Sequence, residues 1–360
     1  MNNSDSNINE LRKSINEIDE KILDLINKRL LIGKEIGHIK KKNKEQITDK
    51  ARETTILKRL KDLNKGYLRN DTLDHIFTQI ISESREIQQP GKISYLGPEA
   101  TFTHIAAMNH FGLNVTFVPQ PAIYDVFSDV EKGTSVYGVV PVENSNEGSV
   151  NHTLDLFFES DLKICAEIYQ IVSHDLLSNA KRFDEIKVIY SHPHAFAQCR
   201  NWIRENLPKA DLKECSSTAH AAEKATQIKG SAAIAGREAA HLYKLEVTAS
   251  RIEDNARNTT RFLVIGRDKT HRTENDKTSI MFATAHIPGA LYKALEPMDE
   301  AGINMVKLES RPAKHENWSY FFFVDFRGHM EDPVVNETIA KMKNLCLHLK
   351  HLGSYPMAKT

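Results

Sequence analysis

The stretch KILDLINKRLLIGKEIGHIK, residues 21–40, decides how the first quarter of the chain is read. Apolar residues recur through it and upstream of it at three- and four-residue steps: Ile8, Leu11, Ile15, Ile18, Ile22, Leu25, Ile32, Ile36 and Ile39. No proline interrupts the run, so the spacing predicts one long helix with a heptad-like seam. Arg29 stands in that seam, between Leu25 and Ile32. A guanidinium cannot lose its charge, so at a packed position it requires an anion or a water-filled pocket. For a lone arginine the ordinary explanation is a structural ion pair, or a stem that packs while the head reaches water.

Its companions shift the reading toward a bound anion. Lys40 follows Arg29 by eleven residues, about 20° around the helix and roughly 16 Å along it. Two cations on one face can converge on a small anion between them. Arg12 precedes Arg29 by seventeen residues, roughly 25 Å along the same rod, out of reach of that anion. As a ligand contact, Arg12 would serve a second site, most simply on an antiparallel partner chain. A short second helix opens near Thr48 and Asp49 and carries Asp49, Arg52 and Glu53 at i, i+3 and i+4, on one face. A third helix is predicted from about Thr72 to Gln88, with the seam Leu73, Phe77, Ile80, Ser84 and Ile87. Ser84 replaces an apolar residue there, and Gln88 lies one turn further on the same face. Cations, a hydroxyl, an amide and carboxylates converging from three helices suit a small hydroxylated dicarboxylate.

On these residues the segment 8–89 resembles the all-helical chorismate mutase domain. The family pattern is met by Arg12, Arg29, Lys40, Asp49, Arg52, Glu53, Ser84 and Gln88. The resemblance implies that two chains interlock their long helices and that each site takes one arginine, here Arg12, from the partner. It implies catalytic roles for Lys40 and Gln88 at the breaking ether oxygen, and substrate binding by the other six.

The chain has 360 residues, which suits two or three domains. Lys and Arg number 48, equal to Asp and Glu, so no global charge draws it to nucleic acid or an anionic membrane. Cys165, Cys199, Cys215 and Cys346 are widely spaced without a metal-ligand pattern. They suit a reducing cytoplasm, and the polar N-terminus lacks the apolar core of a signal peptide. No apolar run approaches a membrane span. Gln88-Gln89-Pro90-Gly91 ends the third helix, and Gly266 to Lys277 is polar and without period, read as a linker. The pieces are 1–89, 90–268 and 275–360.

From Lys92 strands and helices alternate, an α/β pattern whose strand ends are where ligands bind. The expected strands include Ile93 to Leu96, Val136 to Val142, Lys187 to Tyr190, Ala232 to Ala235 and Arg261 to Ile265. Polar clusters follow them: Thr101, Glu143-Asn144-Ser145, Ser191-His192-Pro193, Gln198-Cys199 and Thr259-Thr260-Arg261-Phe262. Singly, such serines and threonines are turn or cap residues, His192 and His194 are surface or capping residues, and Cys199 is a small buried one. No dinucleotide fingerprint or P-loop is present.

Together with Tyr95-Leu96-Gly97-Pro98-Glu99-Ala100-Thr101-Phe102, these stretches resemble prephenate dehydratase across residues 90–268. The resemblance implies a two-lobed fold like that of periplasmic binding proteins, with the site in the cleft. Thr260 would give its proton to the departing ring hydroxyl. Asn144, Gln198 and Ser191 would donate to carboxylates and departing groups, Glu143 would orient them, and Thr101 would contact substrate. Ala100 departs from the family's usual glycine. A turn needing positive φ would cost alanine on the order of 1 kcal/mol.

The last piece reads βαββαβ, a ferredoxin-like α+β order, with helices from Gly289 to Ala301 and Pro333 to Leu345. It resembles the ACT amino-acid-sensing domain through Pro288-Gly289-Ala290-Leu291 and Glu309-Ser310-Arg311-Pro312. The resemblance implies phenylalanine held between two such domains by Gly289, Ala290, Leu291, Asn304, Glu309, Ser310 and Arg311. Behind its linker, 275–360 is expected to be removable without loss of either activity.

The expectation is thus a multidomain, bifunctional cytoplasmic enzyme. It would turn chorismate into prephenate and prephenate into phenylpyruvate under phenylalanine feedback, with no cofactor, metal or nucleic acid. The chain would be a homodimer, with a tetramer as a further step. The alternatives are an arogenate dehydratase and a non-catalytic amino-acid sensor.

Overall fold

The computed structural model describes residues 3–43, 50–88, 91–112, 115–312 and 320–358. The chain forms two compact units, Met1–Gly91 with Phe111–Val115, and Lys92–His110 with Thr116–Thr360.

The first unit is three helices, Asn3–Asn43, Lys50–Leu63 and Asn70–Gln88. The first and third pack on each other. Gly33 and Gly37 are buried one turn apart on the long helix, and Leu73, Ile81 and Ser84 are buried on the third. The N-terminal seam has no cover of its own: Ile15 is 56% exposed, Ile18 54% and Ile22 49%. A helix with bare leucines and isoleucines at heptad spacing has its packing surface facing away from its own chain.

The second unit begins with two lobes. One is a mixed sheet in the order Thr116–Gln120, Lys92–Leu96, Tyr137–Asn144, Thr259–Gly266, Lys163–Ile171, with Gly148–Ser149 hairpinned onto the end of Tyr137–Asn144. The other is Glu246–Ala249, Asp175–Ser178, Ser231–Ala235, Val188–Ser191, Asp211–Glu214. The chain leaves the first lobe after Ile171 and returns to it at Thr259. The two crossings run side by side, tied by Val172 N–H to Asn258 O at 2.9 Å and Ile252 N–H to His174 O at 2.8 Å. Fully buried alanine faces, Ala221 and Ala222 on helix Thr218–Gln227 against Ala233 and Ala235, bring helix and sheet close in the second lobe.

Ala100 is where the sequence anticipated strain. It is buried with φ +61, so it carries the left-handed cost of about 1 kcal/mol or slightly more. Its buried methyl, within the Leu177–Tyr190 cluster, offsets most of that at about 0.8 kcal/mol.

A four-stranded antiparallel sheet follows, ordered Met305–Pro312, Tyr320–Arg327, Asp276–Ala283, His348–Pro356, with helices Ala290–Glu300 and Pro333–Leu345. This is the expected βαββαβ order. One face, with Ile280, Phe282, Val324 and Phe326, packs on the two helices. The other face is joined to the first lobe. Met281, Phe323, Leu352 and Tyr355 share one core cluster with Phe127, Val140, Phe157 and Leu263. Beside that core lies a buried charge cluster. Arg261 Nε gives to Glu167 at 2.8 Å, its Nη1 to Asp325 at 2.6 Å and its Nη2 to Tyr355 Oη at 3.0 Å. Lys277 Nζ gives to the same Glu167 at 2.8 Å. Two cations meet two carboxylates, which is how buried charges persist.

This geometry corrects the expectation of a detachable C-terminal piece. Deleting 275–360 would strip Asp325, Tyr355 and Lys277 from Arg261 and Glu167. It would also uncover Phe127, Val140, Phe157 and Leu263, which share a core with the deleted Met281, Phe323, Leu352 and Tyr355, and exposing that apolar surface at about 25 cal/mol per Å² weighs heavily against a typical total stability of about 5–15 kcal/mol. The expected outcome is loss of folded dehydratase lobes with the helical unit retained. Circular dichroism and both activities of the truncated protein check it; an active, folded dehydratase would contradict it.

Candidate active sites

The helical unit holds a cavity of about 920 Å³ whose lining includes Arg29, Lys40, Arg52, Glu53 and Ser84. Five of the eight residues singled out in the sequence thus meet there. Arg12 does not, as its distance along the rod required. Asp49 and the side chain of Gln88 lie outside the described residues. Three further cations line the wall, Lys28, Arg59 and Arg85, so six cations and one carboxylate are in the lining among the described residues; Lys28 is paired with Asp24 at 2.7 Å. Arg59 was legible: it follows Arg52 by seven residues, two turns on the same face. Arg85 sits 3.4 Å from Glu53, and the lining is predominantly cationic. Arg29 gives Nη1 to Ile80 O at 3.4 Å. Burial lowers its pKa, as expected of a cation partly withdrawn from water.

In the second unit, the returning strand Thr259–Gly266 sets the other site. Its register puts Thr260 opposite Asn144. Asn144 Nδ2 donates to Thr260 Oγ1 at 2.8 Å and to Asn258 Oδ1 at 2.9 Å. Asn258 Nδ2 continues to Gln198 Oε1 at 2.8 Å, and Gln198 Nε2 to Glu147 Oε1 at 3.2 Å. His174 Nε2 also lies 2.9 Å from Gln198 Oε1. That oxygen only accepts, so Nε2 carries the hydrogen, and burial lowers the imidazole pKa and keeps it neutral. The network crosses the paired interlobe strands, beside a cleft of about 890 Å³ lined by Asn144, Glu147, Gln198, His194 and Asp254 among others.

The orientation has chemical content. Thr260 Oγ accepts from an amide, so its own hydrogen is left to point at something else. Asn144 Oδ1 takes the N–H groups of Asn146 and Glu147 at 2.9 and 3.2 Å. Both ends of Asn144 are therefore committed, and it orients Thr260 rather than donating to a ligand.

Several residues stand elsewhere than the sequence placed them. Ser191 is wholly buried and gives its hydrogen to Ile234 O at 2.7 Å; it ties the sheet and does not reach the cleft as a donor. Thr101 gives to Pro98 O at 2.9 Å and accepts His104 N–H at 3.4 Å, capping helix Phe102–Phe111. Glu143 turns away from the cleft to Lys307 Nζ at 2.8 Å. Glu309 and Arg311 reach the dehydratase lobe, Ser149 Oγ at 2.8 Å and Asp155 Oδ1 at 3.3 Å. Strand period two turns both to that side. Cys199 is fully buried, and burial pushes its thiol pKa up, which suits packing and not nucleophilic attack. Asn258, Glu147 and His174 were missed. Asn258 had a signal, since it precedes Thr260 by two and shares its face.

A helical unit with a cationic cavity and a two-lobed unit with a hydroxyl–amide network define an enzyme for small anionic substrates with two separate sites. Among the described residues no group of His, Cys, Asp and Glu is placed to hold a metal ion, and no helix is long and apolar enough to cross a membrane. The profile of chorismate mutase type II matches residues 11–89, and that of prephenate dehydratase matches residues 93–270. The bifunctional chorismate mutase/prephenate dehydratase of Aquifex aeolicus (strain VF5) is 45% identical over 98% of each chain. That of Stutzerimonas stutzeri is 42% identical over 97% of each. A crystal structure of prephenate dehydratase in complex with L-Phe from Arthrobacter aurescens superposes with a TM-score of 0.69. It is 34% identical and covers 74% of this chain and 90% of that one. The chain belongs to the bifunctional chorismate mutase/prephenate dehydratase family, and it carries both enzyme domains.

Proposed function

We propose that the helical unit rearranges chorismate to prephenate and that the two-lobed unit converts prephenate to phenylpyruvate, carbon dioxide and water. The observation that carries the first half is the cavity of about 920 Å³ that brings Arg29, Lys40, Arg52, Glu53 and Ser84 to one lining. The rearrangement breaks a C–O bond and forms a C–C bond within one molecule. It therefore needs a compact conformer and a positive field at the ether oxygen. Arg29 and Arg52 would hold the carboxylates, and Lys40 with Gln88 would face the oxygen. Two chains would pair through the bare seam of the long helix, each lending Arg12 to the other's site. Covering one half-exposed isoleucine contributes about 1 kcal/mol, so a seam of this length is ample for a dimer.

In the second reaction the electrons of the C–CO2⁻ bond enter the ring, the ring C–O bond breaks, and the hydroxyl leaves as water with a proton from Thr260. The Asn144 N–H already aimed at Oγ stabilises the negative charge left there, and solvent restores the proton.

The C-terminal domain is of the ACT type in this reading, and phenylalanine binds it as a feedback inhibitor. Gly289, with φ +77 and open space where a Cβ would stand, starts helix Ala290–Glu300, whose N-terminus suits a carboxylate. Ala290, Leu291, Asn304 and Ser310 complete the site between two such domains.

Incubation of the protein with chorismate, reading prephenate and phenylpyruvate with time, tests the catalytic reading. Sequential appearance of both is expected, and prephenate without phenylpyruvate would overturn the second half. Arogenate in a parallel assay separates the dehydratase substrates. For regulation, calorimetry is expected to show phenylalanine binding that Gly289→Val weakens at least about tenfold, because valine cannot adopt that φ without strain. Inhibition competitive with prephenate and indifferent to Gly289→Val would place phenylalanine in the cleft instead.

A further inference from the structure

The strand Met305–Pro312 presents three charged residues in a row toward the dehydratase lobe, and they land on one segment. Lys307, Glu309 and Arg311 alternate by two and are half-buried, while Val306 and Leu308 on the opposite face are exposed. Lys307 Nζ lies 2.8 Å from Glu143 Oε2 and 3.3 Å from Ser149 Oγ. Ser149 Oγ in turn gives to Glu309 Oε2 at 2.8 Å. Glu143 and Ser149 are directly opposed in the small hairpin formed with Gly148–Ser149. One ammonium group therefore holds both strands of the hairpin at the same rung. Arg311 reaches Asp155 in helix Asn151–Glu159, which follows at once.

This hairpin carries the cleft. Asn144, the residue after Glu143, aims its amide at Thr260, and its turn supplies Asn146 and Glu147 to the cleft wall. Side chains of consecutive strand residues leave opposite faces. Fixing Glu143 beneath the sheet thus fixes the rotation of the backbone that presents Asn144 above it. We propose that Lys307 is a positioning residue of the dehydratase reaction: from the C-terminal domain, it locks the Glu143–Ser149 hairpin so that Asn144 holds Thr260 in register. The inference rests on the reading of Asn144 and Thr260 given above and adds to it. Lys307 itself touches no substrate; it acts through Glu143.

The test compares Lys307→Met, Lys307→Arg, Glu143→Gln and the double variant Lys307→Met/Glu143→Gln in steady-state dehydratase assays, with mutase activity and circular dichroism as folding controls. Lys307→Met is expected to lower kcat at least about tenfold with KM within about two-fold, because a misplaced amide weakens the transition state more than the ground state. Lys307→Arg, which keeps the charge and the donors, is expected to retain most of kcat. The double variant should be no worse than the poorer single one, since both break the Lys307–Glu143 pair. If Lys307→Met does not fold, Lys307→Gln carries the same expectation, keeping a donor for Ser149 without the charge. A Lys307→Met or Lys307→Gln enzyme with unaltered kcat, or one altered in KM alone, overturns the inference. Asn144→Ala separates the two levels. Loss of turnover there with an intact Lys307→Met enzyme sinks only the positioning role, and unchanged turnover of Asn144→Ala sinks the cleft reading and the inference together.

Discussion

Thr260→Ala is expected to lower dehydratase turnover by about a thousand-fold while KM stays within about two-fold and mutase activity is unchanged. The expectation follows from where the hydroxyl sits and what already touches it. Thr260 opposes Asn144 in the sheet and accepts its Nδ2 hydrogen at 2.8 Å. With one lone pair taken by an amide, the hydroxyl is oriented to give its own hydrogen to a leaving group. A threonine hydroxyl is a weak acid, and its value lies in the charge that develops as the C–O bond breaks. An interaction made mainly at that moment appears in kcat. Thr259→Ala is the internal control. Thr259 engages Ser145 through its backbone N–H and carbonyl, which alanine keeps, so a change of less than about threefold is expected. Near-normal turnover of Thr260→Ala would remove the proposed proton donor, and equal losses at 259 and 260 would point to damage to the strand instead.

What the sequence disclosed and what it concealed follow from the range of the forces involved. The three helices were legible because a buried or partnered face repeats every three or four residues, and Arg29 was legible because it breaks that repeat. Helix Pro333–Leu345 was bounded by its proline and its period. Strand Thr116–Gln120 and the helix Asn151–Glu159 were not foreseen, because short elements carry too few periods to be told from loops. Side-chain partners across the fold were least accessible. Nothing near Arg261 in the chain predicts Asp325 or Tyr355, 64 and 94 residues away. The same distance hid the union of the C-terminal sheet with the first lobe: a polar stretch such as 266–277 marks a connection, not the absence of an interface. Motif matching did not foresee the contacts that Ser191, Glu309 and Arg311 make within the chain. A residue can persist in a pattern because it holds the scaffold, and only coordinates show that Ser191 serves Ile234 and that Arg311 serves Asp155.

Arg29→Ala is expected to abolish mutase activity to within measurement, with dehydratase kinetics within about two-fold of the unaltered enzyme. Truncating a desolvated cation that pairs with a substrate carboxylate costs about 3–5 kcal/mol, a few hundred- to several thousand-fold in rate. The fold gives the opposite sign for stability. In the free protein Arg29 is partly buried with a carbonyl at 3.4 Å as its hydrogen-bond partner, and burial already lowers its pKa. Removing it relieves a partly desolvated cation, so the melting temperature should hold or rise. A rise in stability beside a loss of catalysis marks a residue kept for a ligand rather than for the helix bundle. Loss of stability with partial activity would mean that Arg29 is the structural ion of the seam. The neighbouring question, whose site Arg12 serves, is answered by mixing. Arg12→Ala and Arg52→Ala subunits are each expected to be inactive as mutases. Refolded together in equal amounts, half of the dimers are hybrids with one intact site of two, so roughly a quarter of the activity should return. That recovery is possible only if Arg12 crosses to the partner; if the mixture stays as inactive as its components, Arg12 acts within its own chain or not at all, and the interlocked pairing of the long helices must be abandoned.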